Sequence, residues 1–310
     1  MAAAVPSAMT RSDWALIAAL SVIWGGAFFF IEIILRDLPP NTMVLLRLTL
    51  AAPPLILWLR LTGERLPIDG RSWGAFLILG AMNVAIPFIL FGYGQVRISA
   101  GLASILNATT PLWGVLVAHF LTHDEKATPA RVVGVLLGFA GVGVMLGGDA
   151  LSGADENALA QLACVVATLF YALASIYGRR MGSSGLSPMQ IATGQVTAAA
   201  LIMLPIAAFS EQFWTLAMPG PASWAAALAL AVISTSLAYV LYFRLLASAG
   251  ATNSLLITFL IPVTAILLGI ALLGETLEPR QIGGMALIAL GLVALDGRLP
   301  SMLRSKSAKT

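Results

Sequence analysis

The stretch PLWGVLVAHFLTHDEKATPARVVGVLLGFAG, residues 111–141, returns in altered form as PVTAILLGIALLGETLEPRQIGGMALIALG, residues 262–291. Four of its residues recur 150 positions later, as the pairs Glu125 and Glu275, Pro129 and Pro279, Gly134 and Gly284, and Gly141 and Gly291. The opening prolines, Pro111 and Pro262, are 151 positions apart. Self-similarity at a fixed distance indicates a structural unit that occurs more than once. We therefore expect a chain built from two related halves.

The composition of the chain is that of a membrane protein. Hydrophobic residues make up 59% of the 310 residues and charged residues 10%, with a mean hydropathy of +0.93. A soluble domain has roughly 45–50% apolar and about 25% charged residues. An all-α integral membrane protein is expected, because helices satisfy their own backbone hydrogen bonds in lipid.

Ten apolar segments approach or reach the roughly 17–25 residues of a membrane-spanning helix. They are residues 13–35, 41–59, 73–94, 99–121, 130–147, 158–178, 188–209, 223–243, 252–274 and 281–295. Five spans fall in each half, and because five is odd, the second half crosses the membrane in the opposite sense. The predicted fold is ten transmembrane helices as two inverted five-helix repeats, at 13–147 and 158–296, followed by a cytoplasmic tail at 297–310.

The distribution of Lys and Arg predicts the orientation. Thirteen of these residues fall on the side of the N-terminus and three on the other side, while Arg47 lies inside the second span. Basic residues are enriched in cytoplasmic loops. Both termini are therefore expected in the cytoplasm, in an inner (plasma) membrane of bacterial type.

Residues that carry enzymatic, metal or nucleic-acid chemistry are scarce. The single cysteine, Cys164, and two histidines give no metal-ligand spacing, and no basic patch is interleaved with aromatic residues. The ionisable candidates inside the spans are Glu32, Arg47 and Cys164, which supply no nucleophile with its base and no carboxylate pair. We expect no enzymatic activity, cofactor, metal or nucleic-acid partner. The expected partners are the lipid bilayer and a small-molecule substrate.

An inverted repeat is typical of secondary transporters, whose two halves expose one midplane site to either side in turn. Two alternatives remain open at this point: a duplication that serves packing alone, and a channel with a continuous hydrated lumen. Saturable flux with counterflow would distinguish a carrier from a channel. We favour a carrier that is monomeric or forms a loose homodimer.

Three features of the chain resemble a known family. They are Trp24-Gly25 in helix 1, Arg47 in helix 2, and, in both halves, a proline followed by a glutamate, a proline turn and a glycine-rich last helix. Together they resemble the drug/metabolite transporter superfamily, in its ten-helix EamA-type branch, over about residues 13 to 296. The resemblance implies an exporter of small metabolites with cytoplasmic termini. Within that branch the chain resembles the aromatic amino-acid exporters, and this resemblance makes aromatic amino acids the preferred substrate.

Two prolines indicate where a substrate site is expected. Pro111 and Pro262 fall near the centres of spans 4 and 9, where a proline frees a backbone carbonyl for a ligand or for water. Asn107 and Thr258 lie one helical turn before them on the same faces. The full candidate set is Trp24, Asn83, Pro87, Asn107, Pro111, Tyr171, Ser175, Tyr239, Tyr242, Thr258 and Pro262. The alternatives are hydrogen bonds between helices for the hydroxyl groups and core packing for the aromatic rings.

The two charged residues inside the first half are expected to pair. Glu32 lies near the end of helix 1, and Arg47 lies about two turns into helix 2 from the same side. Such a pair would be a structural or gating element, because pairing lowers the cost of both charges in an apolar setting. No carboxylate stands beside Trp24, so uncoupled facilitated diffusion is the leading mechanism. The alternatives are proton-coupled drug or cation efflux and a channel-like metabolite permease.

The ends of the two halves are assigned to packing. Helices 5 and 10 carry glycines three or four residues apart, a spacing that allows close approach of two helix backbones. Glu125 and Glu275 are expected to cap or to form salt bridges with the turn before each last helix.

Overall fold

The ten predicted spans are confirmed as ten helices of a multi-pass membrane fold. The computed structural model describes residues 9–122, 126–146, 156–182 and 184–296, and within these ranges all regular structure is helical. The helices are α1 Arg11–Ile34, α2 Pro40–Leu61, α3 Gly70–Gln95, α4 Ala100–Leu121, α5 Pro129–Leu146, α6 Glu156–Gly182, α7 Pro188–Glu211, α8 Pro221–Gly250, α9 Leu256–Leu273 and α10 Pro279–Asp296. Glu125 and the predicted tail at 297–310 lie outside the described residues.

Helix starts are set by short polar signals. Thr10 accepts a hydrogen bond from the Asp13 backbone N–H, and Asp13 accepts one from the Thr10 backbone in return. The same reciprocal capping joins Ser187 and Gln190 at the start of α7. Such caps satisfy N–H groups that the first helical turn leaves unpaired.

Helix 8 is longer than predicted. The sequence predicts its end at residue 243, but the helix continues to Gly250, where φ is +79°. A glycine accepts this left-handed conformation without steric penalty, so the chain turns there and not at the earlier polar residues.

Pro111 and Pro262, expected near the centres of spans 4 and 9, do not occupy matching positions in their helices. Helix α4 is interrupted at residues 108–109, and Pro111 is the second residue of its second segment, Thr110–Leu121. The carbonyl of Asn107 accepts a hydrogen bond of 2.8 Å from the Thr110 hydroxyl. Pro262 lies instead inside the helical segment Leu256–Leu268. The difference arises because a proline is accommodated readily in the first turn of a helix, so α4 restarts just before Pro111.

Helices α5 and α10 form the predicted glycine seam. A Cβ atom added to Gly141 would lie 2.6 Å from the Gly284 carbonyl oxygen, and one added to Gly291 would lie 2.5 Å from the Gly134 carbonyl oxygen. These separations are too short for any side chain. The two backbones therefore touch directly, away from the polar residues of the other helices.

Carboxylates join the two halves at the helix ends. Glu211, at the end of α7, accepts hydrogen bonds of 2.9 and 2.6 Å from the backbone N–H groups of Asn41 and Thr42, at the start of α2. Conversely, Glu64, beyond the end of α2, accepts one from the hydroxyl of Ser187, which caps α7. A negative charge at a helix N-terminus is favourable electrostatically. The contacts are reciprocal, because each half supplies a carboxylate to a helix start in the other half.

Glu275 also crosses between the halves, which corrects its predicted role. It accepts hydrogen bonds of 2.7 and 3.0 Å from the backbone N–H groups of Ala100 and Gly101, the first residues of α4. The expected cap on the turn before α10 is not formed by this side chain. The reason is the packing of α4 against α9, which brings the unpaired N–H groups at the start of α4 next to the residue that follows α9.

Candidate substrate site

A buried guanidinium group without a counter-ion is the most unusual feature of the interior. The Arg47 side chain is 6% exposed, and its Nε donates a hydrogen bond of 3.0 Å to Thr235 Oγ1. Its guanidinium carbon lies 3.7 Å from the centroid of the Phe88 ring. Within the described part of the chain no carboxylate pairs with it, and no acceptor is directed at its two terminal nitrogens. Arg47 can therefore still donate to a ligand.

The local structure of α8 orients the Thr235 hydroxyl. Residues 229–237 form a π-helical stretch, in which Thr235 donates a hydrogen bond of 2.9 Å to the carbonyl of Leu230, five residues earlier. Since that bond uses the hydroxyl proton, the oxygen lone pairs face Arg47. Short π-helical turns occur frequently at functional sites. A second one, at residues 81–85 of α3, carries Asn83.

Asn83 begins a directional chain of hydrogen bonds across three helices. Its Nδ2 donates a bond of 3.0 Å to Gln195 Oε1 in α7, and Gln195 Nε2 donates one of 3.3 Å to the hydroxyl oxygen of Tyr239 in α8. Because the Tyr239 oxygen accepts, its own proton remains available for another acceptor. The chain thus ends in a hydroxyl donor.

Tyr171 completes the set from α6. Its ring stacks on Phe91, with the centroids 6.2 Å apart and the planes inclined by 24°. The phenol groups of Tyr171 and Tyr239 both interact electrostatically with the Arg47 guanidinium. We call Arg47, Asn83, Tyr171, Gln195, Thr235 and Tyr239 the Arg47 cluster. It lies where the two large hydrophobic clusters of the protein meet, one containing Tyr171 and the other Tyr239.

Aromatic rings extend from the Arg47 cluster toward the face at which α1 begins. Tyr239 stacks on Phe243, with centroids 6.2 Å apart and an interplanar angle of 14°, and Tyr242 contacts Trp24 at 5.4 Å. Phe243 also lines a cavity of about 270 Å³ between α2, α7 and α8. This cavity opens at the end of α2, beside Glu64 and Arg244. A planar ligand would meet aromatic faces along this path.

The remaining predicted residues lie outside the Arg47 cluster. Pro87 is buried in α3, whereas Asn107, Pro111 and Thr258 are half-buried in α4 and α9, and Pro262 is buried in α9. No described hydrogen bond or ring contact connects these five side chains to Arg47. Ser175 is exposed, and its hydroxyl donates a bond of 2.7 Å to the Ala172 carbonyl. Their assignment to the substrate site stays a prediction.

The predicted contact between Glu32 and Arg47 is not formed. Arg47 points toward α3 and α8, whereas Glu32 faces the side chains of Arg36, Gln95 and Glu275. The two helices present these side chains in different directions, which residue spacing along each helix does not predict. Gln95 Nε2 donates to the Phe28 carbonyl at 2.9 Å, and this leaves Gln95 Oε1 and Glu32 Oε2 buried without a donor.

Sequence reasoning missed Gln195 and Thr235, two members of the Arg47 cluster, and the Phe88 ring that contacts Arg47. Gln195 is 3% exposed in the middle of an apolar helix, and a polar residue at that depth is itself a signal of function. Thr235 stands in the triplet Ser234-Thr235-Ser236, an interruption of another apolar span. Phe88 carries no such signal, because a phenylalanine in a membrane span is ordinary.

Known proteins share this architecture along nearly its whole length. Protein PecM of Dickeya dadantii (strain 3937) is 26% identical over 275 residues, which cover 88% of this chain and 89% of that protein. The uncharacterized inner membrane transporter YedA of Escherichia coli (strain K12) is 27% identical over 282 residues, covering 89% and 87%. A probable terminal-alkyne amino-acid exporter of Streptantibioticus cattleyicolor is 25% identical over 302 residues, covering 96% and 98%.

A solved crystal structure and a family model agree with these relatives. The crystal structure superposes with a TM-score of 0.66 over 92% of this chain and 97% of the other, and at 20% identity it shows the fold alone. The model of the EamA-like transporter family matches residues 13–147 and again residues 158–295. Since the two matches together span most of the chain, this protein belongs to the EamA-like transporter family.

Proposed function

We propose that this transporter exports small metabolites of the amino-acid class, with aromatic amino acids preferred, and that Arg47 holds the substrate carboxylate. The observation that carries the proposal is the buried guanidinium whose terminal nitrogens have no acceptor in the described part of the chain. Arginine matches a carboxylate in planar, bidentate geometry. Tyrosine and phenylalanine rings beside it suit an aromatic side chain. The relative named as a probable amino-acid exporter supports this substrate class.

The proposed mechanism is alternating access by facilitated diffusion. The two halves meet through carboxylates at helix ends, such as Glu275 on α4, and these contacts are able to break and reform as the halves exchange their packing. Arg47 keeps its proton at cellular pH, so binding at the Arg47 cluster by itself takes up no proton. The proposed setting is a bacterial inner membrane with both termini in the cytoplasm.

Proton-coupled efflux is the second candidate, and one observation favours it. The Glu32 side chain faces Gln95, and both Glu32 Oε2 and Gln95 Oε1 are buried without a hydrogen-bond partner. A proton on Glu32 would supply the missing donor, since only a protonated carboxyl group can donate to an amide oxygen. Loss of that proton in another conformation would couple transport to a proton gradient.

Flux into proteoliposomes decides between these candidates. Labelled phenylalanine, tryptophan, threonine and a quaternary ammonium drug are supplied with and without an imposed pH gradient. We expect saturable flux of the aromatic amino acids that does not respond to the gradient. Drug flux that appears only with the gradient would favour the second candidate, and absence of saturable amino-acid flux would overturn the first.

A further inference from the structure

We infer that the Arg47 cluster also discriminates by charge: among aromatic ligands that carry a carboxylate, it binds an organic anion, such as an aryl-alkanoate or an N-acylated aromatic amino acid, more tightly than the zwitterionic amino acid, which it still transports. This inference rests on the proposed function, because it assumes that Arg47 binds the substrate carboxylate. Beyond the carboxylate, it specifies that the ligand carries no free ammonium group when it binds most tightly.

The fixed charge of the site is one uncompensated cation. No carboxylate with a described side chain pairs with Arg47. Asp13 binds Ser248, Glu32 faces Gln95, Asp37 binds Ser223, Glu64 binds Ser187, Asp69 caps Ser72, Glu156 pairs with Arg97, Glu211 binds Thr42, Glu275 binds Ala100 and Glu278 pairs with Arg280. A buried ion without a partner is costly, and an anionic ligand removes that cost.

The hydrogen bonds of the site point to an oxyanion. Arg47 offers the N–H groups of its two terminal nitrogens, and Tyr239 offers its hydroxyl proton because its oxygen already accepts from Gln195. Tyr171 adds a second phenolic hydroxyl with no acceptor in the described part of the chain. A carboxylate accepts from all three, since each of its oxygens has two lone pairs. The Asn83 to Gln195 to Tyr239 chain also polarises the Tyr239 hydroxyl toward donation.

A free ammonium group finds no matching charge here. The acceptors left over in the Arg47 cluster are neutral oxygens, namely Asn83 Oδ1, whose nitrogen is used toward Gln195, and the phenolic oxygens. An ammonium group would also stand close to the Arg47 guanidinium in a medium of low dielectric constant, where like charges repel strongly. Acylating or removing the amino group eliminates that repulsion. The site therefore discriminates at the amino end while it binds at the carboxylate end.

The walls of the site are aromatic. The guanidinium lies over the face of Phe88, Tyr171 stacks on Phe91, and Tyr239 stacks on Phe243. Offset stacking favours a ligand that carries a ring. Combined with the charge argument, this favours aromatic acids of net charge −1.

A charge series with one constant ring tests the inference. Uptake of labelled N-acetylphenylalanine and 3-phenylpropanoate (anions), phenylalanine (zwitterion) and phenylethylamine (cation) is measured in proteoliposomes. A potassium gradient with valinomycin then sets the membrane potential. We expect the apparent KM of each anion to be at least about tenfold below that of phenylalanine. Anion uptake should rise when the interior is positive, whereas phenylalanine uptake should not respond.

The arms of this experiment keep the two claims apart. Phenylalanine flux with a KM equal to or below that of the anions would overturn the charge selection and leave amino-acid export standing. Absence of saturable flux for every compound would overturn both. The variant Arg47→Gln should lose the preference for anions and Arg47→Lys should retain it, with Arg71→Gln, at an exposed position in the first turn of α3, as the control. A preference that survives in Arg47→Gln would also overturn the inference; if that variant does not fold, the wild-type series alone decides.

Discussion

Arg47 shows how a single buried charge is made tolerable without an ion pair. Its hydrogen bond to Thr235 is of the kind that contributes about 1.5–3 kcal/mol when one partner is charged. Its contact with the Phe88 ring adds about 2 kcal/mol when both groups are desolvated. Together these offset part of a desolvation cost of several kcal/mol, on the order given for real proteins. The remainder is what a bound anion would recover.

Replacing Tyr239 with Phe tests the hydroxyl donor. Tyr239→Phe removes one donor to the ligand carboxylate and leaves Gln195 Nε2 without its acceptor. A lost hydrogen bond to a charged group corresponds to a rise in Kd of about tenfold or more. Binding of labelled substrate to purified protein measures this. Tyr177→Phe, in α6, is the matched control, and an equal loss in both variants would contradict a specific role for Tyr239.

Replacing Glu32 with Gln tests the two unpartnered oxygens. Glu32→Gln introduces an amide donor that faces the Gln95 side chain, whose Oε1 has no donor, and keeps the size of the side chain. Satisfying a buried acceptor is expected to stabilise the protein by about 1 kcal/mol, because an unmade buried hydrogen bond is costly. The Tm of Glu32→Gln in detergent should rise and that of Gln95→Glu should fall. A lower Tm for Glu32→Gln would show that the ionised carboxylate is the stabilising form.

At the scale of helices, irregular turns decide which side chains converge. The π-helical turns at residues 81–85 and 229–237 shift the side chains of Asn83 and Thr235 around their helix axes. Regular α-helical spacing would place the residues beyond each turn on different faces. The Arg47 cluster therefore depends on backbone irregularity as much as on residue type.

The glycine seam between α5 and α10 predicts that two glycine-to-alanine substitutions differ in their effect on stability. Gly291→Ala would place Cβ 2.5 Å from the Gly134 carbonyl oxygen and push the helices apart, at a cost of about 1–3 kcal/mol. Gly143→Ala, also in the seam helices, meets no atom within 4 Å and should be neutral or slightly stabilising. Thermal unfolding of both variants measures the difference. Equal Tm values would show that the seam does not require bare backbone.

Asp37 links the end of α1 to the start of α8 and predicts a dependence on pH. Hydrogen bonds from the Ser223 hydroxyl and the Gly220 N–H hold the pKa of Asp37 below its usual value. A lowered pKa in the folded state means that the stabilisation is present above the ordinary pKa and is lost as pH falls through the lowered one. Asp37→Asn should therefore have a Tm less sensitive to acidification below about pH 4 than wild type. Glu278→Gln is the control, and identical acid sensitivity in Asp37→Asn and wild type would contradict the assignment.

At the scale of the whole molecule, the doubled sequence and the apolar spans were sufficient to predict ten helices. Hydrophobic length and repeated glycines are local signals, which is why the spans and the α5 to α10 seam could be found without coordinates. Pairings between distant residues could not be found in this way. Arg47 meets Thr235 across 188 positions, and its predicted partner Glu32 was chosen from depth alone. Depth follows from residue counting, but the direction of a side chain depends on how the helices pack.

The two halves are joined most visibly at their helix ends. Glu211 binds the start of α2, Glu64 binds the cap of α7, and Glu275 binds the start of α4. Such contacts are confined to the ends, whereas the Arg47 cluster lies between them in the interior. This arrangement suits a carrier in which the ends open in turn around a fixed central site.

The central claim is that Arg47 binds the substrate. It is tested most directly by equilibrium binding of labelled aromatic substrate to purified wild type, Arg47→Gln, Arg47→Lys and the control Arg71→Gln. Loss of a buried charge-assisted contact corresponds to about 2–5 kcal/mol, so Kd should rise at least about tenfold in Arg47→Gln. Arg47→Lys should recover part of the affinity and Arg71→Gln all of it. An unchanged Kd in a folded Arg47→Gln protein would contradict the account.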